Sequence, residues 1–292
     1  MKTASTLIIC ALAALLPLSA FAKKKKNEAP PQQTSLAVYL LQQLNEREQL
    51  AYDRYETAVS EEEIDQVRRE LQSVIDGYEK LVNDSPDYAP AYVSYGLMLN
   101  RTGNRDVSNA MFLKADQLDP MLPVVKNQLG NYMAEEGKYT EALGFYMLAR
   151  DLDPDQPLYH YQLGNLLVAY RKYFLDDGIF DFYEIDEQII NHFRSAARRA
   201  PPGDVSFQMR YAQAFFDVEN PDWEKALGIW QDLYKAAGSE YEQQIVRLYT
   251  ARVRYELGHH QAARKLLKQI DHPSLDESKL ALLEKINDKY PQ

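Results

Sequence analysis

Residues 89–157 read APAYVSYGLMLNRTGNRDVSNAMFLKADQLDPMLPVVKNQLGNYMAEEGKYTEALGFYMLARDLDPDQP, and this stretch repeats itself every 34 positions. Gly96, Gly130 and Gly164 are 34 apart, and so are Gly103 and Gly137, Phe112 and Tyr146, Ala115 and Ala149, and Pro86, Pro120 and Pro154. One interval shared by several residue classes marks a repeat architecture. Within a unit the order is Tyr92, Tyr95-Gly96, Leu99, Gly103, Ser108, Phe112, Ala115, Pro120. The next reads Leu129-Gly130, Met133, Gly137, Ala142, Tyr146, Ala149, Pro154.

The large apolar residues of each first half fall three and four apart, which places them on one helix face. Gly96 and Gly130 sit among them, although glycine costs about 1 kcal/mol in a helix interior, so packing must require it. Gly103 and Gly137 fall where that helix has to stop. Ala115 and Ala149 follow Phe112 and Tyr146 by three residues, so one turn offers a large knob and a small hole. Pro120 and Pro154 end the second helix, because the residue before proline is pushed out of the α region.

These residues at this period resemble the tetratricopeptide-repeat family. The resemblance implies an all-α, right-handed α-solenoid of about six helix-turn-helix units with a C-terminal capping helix. It also supplies a reason for the helical glycines: the second helix crosses too close for a side chain. The units read as 35–88, 89–122, 123–156, 157–203, 204–243 and 244–275, with a cap at 276–290. In the first unit Tyr78 and Pro86 stand 34 before Phe112 and Pro120. Its first helix carries Leu36, Leu40, Leu44, Tyr52 and Tyr55, and its second carries Ile64, Val67, Leu71, Val74, Ile75 and Tyr78. Ser60 ahead of Glu61, Glu62 and Glu63 predicts a capping box with acids at the positive helix end. The fifth unit uses Ala212, Phe215, Ala226 and Trp230, and Asn220-Pro221 lengthens its turn. The sixth uses Ala251, Gly258, Ala263, Leu267 and Pro273, with Arg254 where the family has a large apolar residue. A closing helix covers the last apolar face of a solenoid.

The fourth unit departs from the rule. Phe193, Ala196 and Pro201 recur 47 after Tyr146, Ala149 and Pro154, so 13 residues have been gained between its two helices. The addition lies within 173–186, YFLDDGIFDFYEID, where aromatics and acids alternate. It is expected as a loop. Either it folds onto its own repeat and buries Phe174, Phe180 and Phe182, or it presents them, with Tyr183, to a partner.

Residues 1–22 read as a secretory leader: Lys2, an apolar run over 7–18, and Ala20-Phe21-Ala22 as the cleavage site. The only cysteine, Cys10, lies inside it. Ile9 stands where a lipoprotein box wants a small residue. The expected product is exported, cysteine-free and without a disulfide. In a bacterial setting the resemblance implies the periplasm. A basic, polar linker follows over 23–34. The formal charge of −10 becomes −11 without Lys2, and −15 once Lys23, Lys24, Lys25 and Lys26 are set apart. That sign is wrong for a nucleic-acid binder. The four lysines offer weak contact with an anionic membrane surface, although a solvated tail is the plainer reading.

The sequence carries no glycine-rich phosphate loop, no H-E-x-x-H and no cysteine for zinc. No catalytic residue, metal or cofactor is expected. His259 and His260 point about 100° apart on a helix. Asp176, Asp177, Asp181, Glu184 and Asp186 raise the alternative of a carboxylate site, for calcium or acid–base chemistry, in a spacing that matches no calcium loop. The resemblance instead implies a non-enzymatic scaffold that binds a peptide or protein in the concave groove lined by first helices. The groove positions are Asn127, Asn131, Tyr161, Asn165, Met209, Arg210, Gln213 and Phe216. Amides there can bond an extended backbone, and aromatics can take side chains. Asn131, Asn165 and Arg210 match members of the family's carboxylate clamp, but Asn127 and Ser206 stand where its other cations belong. A self-associating structural protein is the remaining alternative.

Overall fold

The computed structural model describes residues 32–289, with side chains from 36 to 288. The expected leader and most of the linker lie outside the described residues. Among the described residues there are fourteen α-helices, one short 3-10 turn and no strand. The chain divides into two compact units between Asp153 and Pro154, three residues before the repeat boundary expected after 156.

The first unit holds three helix pairs: α1 (Gln32–Thr57) with α2 (Glu61–Asp84), α3 (Ala89–Arg101) with α4 (Arg105–Leu118), and α5 (Pro123–Glu135) with α6 (Tyr139–Leu152). The period has a direct physical cause here. A Cβ on Gly96 would lie 2.8 Å from the Phe112 ring, and one on Gly130 only 2.6 Å from the Tyr146 ring. In these two pairs the aromatic knob of the second helix therefore sits against the bare backbone of the first. Ser108 strengthens the crossing by donating its hydroxyl to the Gly96 carbonyl at 2.7 Å. Gly103 and Gly137 have φ of 83° and 73°, the left-handed conformation that lets the chain reverse between paired helices. Ser85, Asp119 and Asp153, each just before a proline, are the C-caps of α2, α4 and α6.

Ser60 and Glu63 form the expected capping box at α2. The face of α1 is only partly the expected one: Leu44 is buried and Tyr52 packs against the core. Leu36, Leu40 and Tyr55 are exposed, and the buried stripe is Ala37, Leu41, Leu44, Glu48 and Ala51. An acid thus occupies a core position. It is accommodated because Tyr78 donates to Glu48 at 2.7 Å and Arg101 reaches its other oxygen at 2.6 Å. Helix α1 also begins at Gln32, so the last residues of the expected linker are helical.

The second unit begins with α7 (Pro157–Ala169), followed by α8 (Arg171–Asp176) and α9 (Phe182–Arg199). A Cβ on Gly164 would lie 2.8 Å from the Phe193 ring, so α7 and α9 make the same crossing as the preceding pairs. Next come α10 (Ser206–Ala214) with α11 (Trp223–Ala236), then α12 (Glu240–Glu256) with α13 (His260–Leu267). Helix α12 starts four residues before the expected boundary at 244, at a Ser239–Glu242 capping box. The 3-10 turn Pro273–Leu275 leads into α14 (Asp276–Lys289), whose Leu282 and Ile286 are buried against Leu248, Ala251, Ala263 and Leu267. Among the described residues no helix is long and apolar enough to cross a membrane.

The insertion is not the loop that was expected. Most of it is helical. Residues 171–176 form α8, a turn follows at Gly178, and the remainder extends the start of α9, which has 18 residues where α4 and α6 have 14. Asp181 accepts from the backbone N–H of Tyr183 and Glu184, and Glu184 accepts from that of Asp181. The D-x-x-E pattern at 181–184 is thus a capping box as well.

Candidate functional site

In the first unit, the two groove positions on α5 have different fates. Asn131 is half-buried, donates to Gln128 at 3.2 Å and accepts from the Tyr146 hydroxyl at 2.7 Å. Its amide helps hold the α5–α6 crossing. Asn127 is only 1% exposed, and neither its Oδ1 nor its Nδ2 has a hydrogen-bond partner. An amide buried in this way costs roughly 1–3 kcal/mol. The positions one repeat before and after are the apolar Val93 and the aromatic Tyr161, so the amide is not a demand of the fold.

In the second unit, Tyr161 does not line an open face. It is buried between the rings of Phe193 and Phe207, at centroid distances of 6.0 and 5.6 Å. The expected cation is also engaged. Arg210 pairs with Asp217 at 2.8 Å, donates to Asn165 at 3.3 Å and lies 3.9 Å from the centre of the Phe193 ring. Arg210, Asn165 and Asp217 therefore form one internal network, and a carboxylate clamp through this arginine conflicts with the geometry.

Met209 and Gln213, one turn apart, remain half-buried on a single face of α10. Phe216 follows just past the end of that helix, with its ring 4.9 Å from Trp223 and 6.1 Å from Tyr249. Tyr249 stacks in turn on the buried Trp230 at 4.6 Å, with an angle of 2° between the planes. The exposed Arg252 spreads over this surface, its guanidinium carbon 4.4 Å from the Phe216 ring centre. Such a contact leaves most of the arginine's donors pointing outward.

The insertion divides its aromatics between two roles. Phe174 is fully buried, and Phe180 packs edge-on against it at 5.8 Å. Phe182 and Tyr183 are 54% and 78% exposed. Its acids are mostly engaged locally. Asp181 and Glu184 cap α9, and Lys172 lies 3.8 Å from Asp176. Asp186 takes two bonds from Arg171, the shorter 2.7 Å, and accepts from the backbone N–H of Glu219 at 2.8 Å. Arg171 also bonds the Glu219 carboxylate at 3.0 Å. Burial works against the Arg171 charge, but its hydrogen bonds to Asp186 and Glu219 more than reverse this and raise its pKa. Among the described residues no three His, Cys, Asp or Glu side chains gather as a metal site.

Two features were not legible as motifs. One is the Glu48–Tyr78–Arg101 cluster. Burial pushes the Glu48 carboxyl above its ordinary range, against the hydrogen bond from Tyr78 and the charge of Arg101. The other is Arg171, which ties the insertion to the turn before α11. Each joins residues tens of positions apart, so no local pattern announces it.

Helix pairs repeating at 34, with a glycine under the aromatic of the next helix, constitute the tetratricopeptide-repeat fold. No protein-family model and no curated protein matches the chain. Solved structures do. YrrB, described as a tetratricopeptide-repeat protein with an unusual peptide-binding site, matches with a TM-score of 0.56 at 14% identity over 71% of this chain and 97% of its own. Pseudomonas aeruginosa PilF matches with a TM-score of 0.56 at 14% identity, covering 82% of this chain and 92% of its own. PilW, described as a widely conserved type IV pilus biogenesis factor, gives 0.54 at 13% identity over 78% of this chain and 92% of its own. At these identities the likeness is one of fold.

Proposed function

We propose that the protein is a non-enzymatic scaffold of the cell envelope that binds a peptide or protein partner. The observation that carries the reading is the contrast within the second unit. Arg210, Asn165 and Tyr161 are engaged in holding the repeats together. Met209, Gln213 and Phe216 are half-buried beside an outward-facing Arg252. An aromatic held by its neighbours, with an exposed cation over its face, has the makeup of a binding hot spot. The fold shared with a peptide-binding repeat protein supports the same reading. The carboxylate alternative at the insertion loses support, because Asp181, Glu184 and Asp186 are engaged in capping and ion pairing.

The placement in the envelope rests on the leader read in residues 1–22. N-terminal sequencing of the exported protein should begin at Lys23; a start at Met1 or at a lipid-modified Cys10 overturns that part. The binding reading is tested by affinity capture from an envelope extract, comparing wild type with the double variant Met209→Ala, Phe216→Ala. A specific protein retained by wild type and lost by the variant is expected. An identical retained set for both, or no specific protein with either, overturns the α10 surface as the binding site.

A further inference from the structure

A cleft of about 260 Å³ opens between the first turns of α9 and the turn that leads into α11. One wall is the start of α9, with Tyr183 contributed by the insertion and Glu187 and Ile190 following it; the other holds Val218 and Asp222, and the buried Phe215 lines it as well. The volume falls below the range of about 300–1,000 Å³ usual for small-molecule sites and suits one or two side chains of a peptide. The walls are held in place. Arg171 bonds Asp186 on one side and Glu219 on the other, and the Glu219 N–H reaches Asp186 at 2.8 Å.

The charge around this cleft is predominantly negative. Residues 173–187 carry six acids and no lysine or arginine, and residues 217–224 carry four acids and none. The nearby arginines are already engaged, Arg171 by Asp186 and Glu219 and Arg210 by Asp217. Of the lining residues only Lys225 is basic. An apolar floor, a 78% exposed tyrosine at the lip and a surplus of carboxylates together select a cation on an aliphatic stem. Lysine and arginine side chains meet that description, since their stems pack on apolar surface while the charge stays at the rim, and a tyrosine face adds attraction for the cation.

We infer that the insertion builds a second docking site, separate from the α10 face, for a basic, aliphatic segment of a partner protein. Its aliphatic side chains rest on Phe215, Ile190 and Val218, and its cations lie between Tyr183, Glu187 and Asp222. The inference rests on the protein-binding reading but uses a different surface, so the two can fail separately.

The test uses the full chain and a labelled peptide alternating lysine with leucine, with its glutamate-for-lysine twin as the control, read by fluorescence anisotropy. The lysine peptide should bind, more weakly as salt rises, and the twin should not. Tyr183→Ala and Glu187→Lys, both exposed, should each weaken binding by about tenfold or more with melting temperature unchanged. Glu256→Lys changes the net charge equally on an exposed site of α12 and should alter binding less than about twofold. No binding, equal binding of the twin, or equal effects of the two charge reversals overturns the inference. Loss of binding in Phe216→Ala, with Tyr183→Ala unaffected, also overturns it, while leaving the α10 reading standing.

Discussion

At Asn127 the repeat places an amide where its neighbours in register place Val93 and Tyr161, and both of its polar atoms are without a partner. Asn127→Val should therefore raise the melting temperature, because it removes an unsatisfied buried group of roughly 1–3 kcal/mol and keeps a shape that Val93 already fits. If it also lowers partner capture, the amide is retained for binding at the expense of stability. A lower melting temperature would show that the amide is satisfied in solution. Glu48 poses the opposite case, an acid in a core stripe with its bonds made. Its raised pKa means that the native state holds the proton more tightly than the unfolded chain does. Its contribution to stability therefore falls as pH rises from the ordinary carboxylate value through the native one. Glu48→Gln should melt at or above wild type at neutral pH, with the gap closing as pH falls below the native value. A variant melting well below wild type at neutral pH would show that the Arg101 charge pair outweighs burial.

Among the elements, the insertion is where structure changes the expectation most. As an appended loop it would be removable with little effect on stability. Phe174 is fully buried, Phe180 packs on it, and Asp181 caps α9. Deleting residues 176–183 should therefore lower the melting temperature, having removed both the cap and the Phe180 contact. Phe174→Ala should cost about 3–5 kcal/mol, whereas Tyr183→Ala should stay within about 0.5 kcal/mol of wild type. Chemical denaturation of the two variants measures this difference. Equal midpoints would show that α8 is not packed as described. The insertion is thus part core and part surface, and only the outer part, Phe182 and Tyr183, is available to a partner.

For the whole molecule, repeat construction predicts how damage spreads. Stability in a repeat array is close to a sum of intrinsic repeat stabilities and nearest-neighbour terms. Gly130→Leu forces a side chain into the space of the Tyr146 ring, 2.6 Å from the nearest Cβ position, and should cost about 1–3 kcal/mol. Hydrogen exchange read by mass spectrometry should show lost protection in α5 and α6, less in α3 and α4, and none in α12 to α14. Uniform loss across all helices would show the chain unfolding as one cooperative body. An unchanged melting temperature would show that the α5–α6 crossing is not close.

The sequence alone determined the repeat. A period of 34 in Gly96, Gly130 and Gly164, matched by Phe112 and Tyr146, specifies which helix crosses which and where each stops, because these are local demands of close packing and chain reversal. The inserted unit was legible as a departure from that period, and its D-x-x-E cap could have been read as the start of a helix. The face of α1 could not be read, since its leucines and tyrosines run round the helix and only the position of α2 selects Ala37, Leu41, Leu44, Glu48 and Ala51 as the buried stripe. Nor could the fates of Asn131, Asn165 and Arg210, which the repeat places on the groove side but which are drawn into the scaffold by the hydrogen bonds of Asn131 with Tyr146 and of Arg210 with Asn165 and Asp217. Backbone register is a property of residues close in the chain; whether a polar side chain is available to a partner depends on which distant groups reach it first, and that is decided only by tertiary structure.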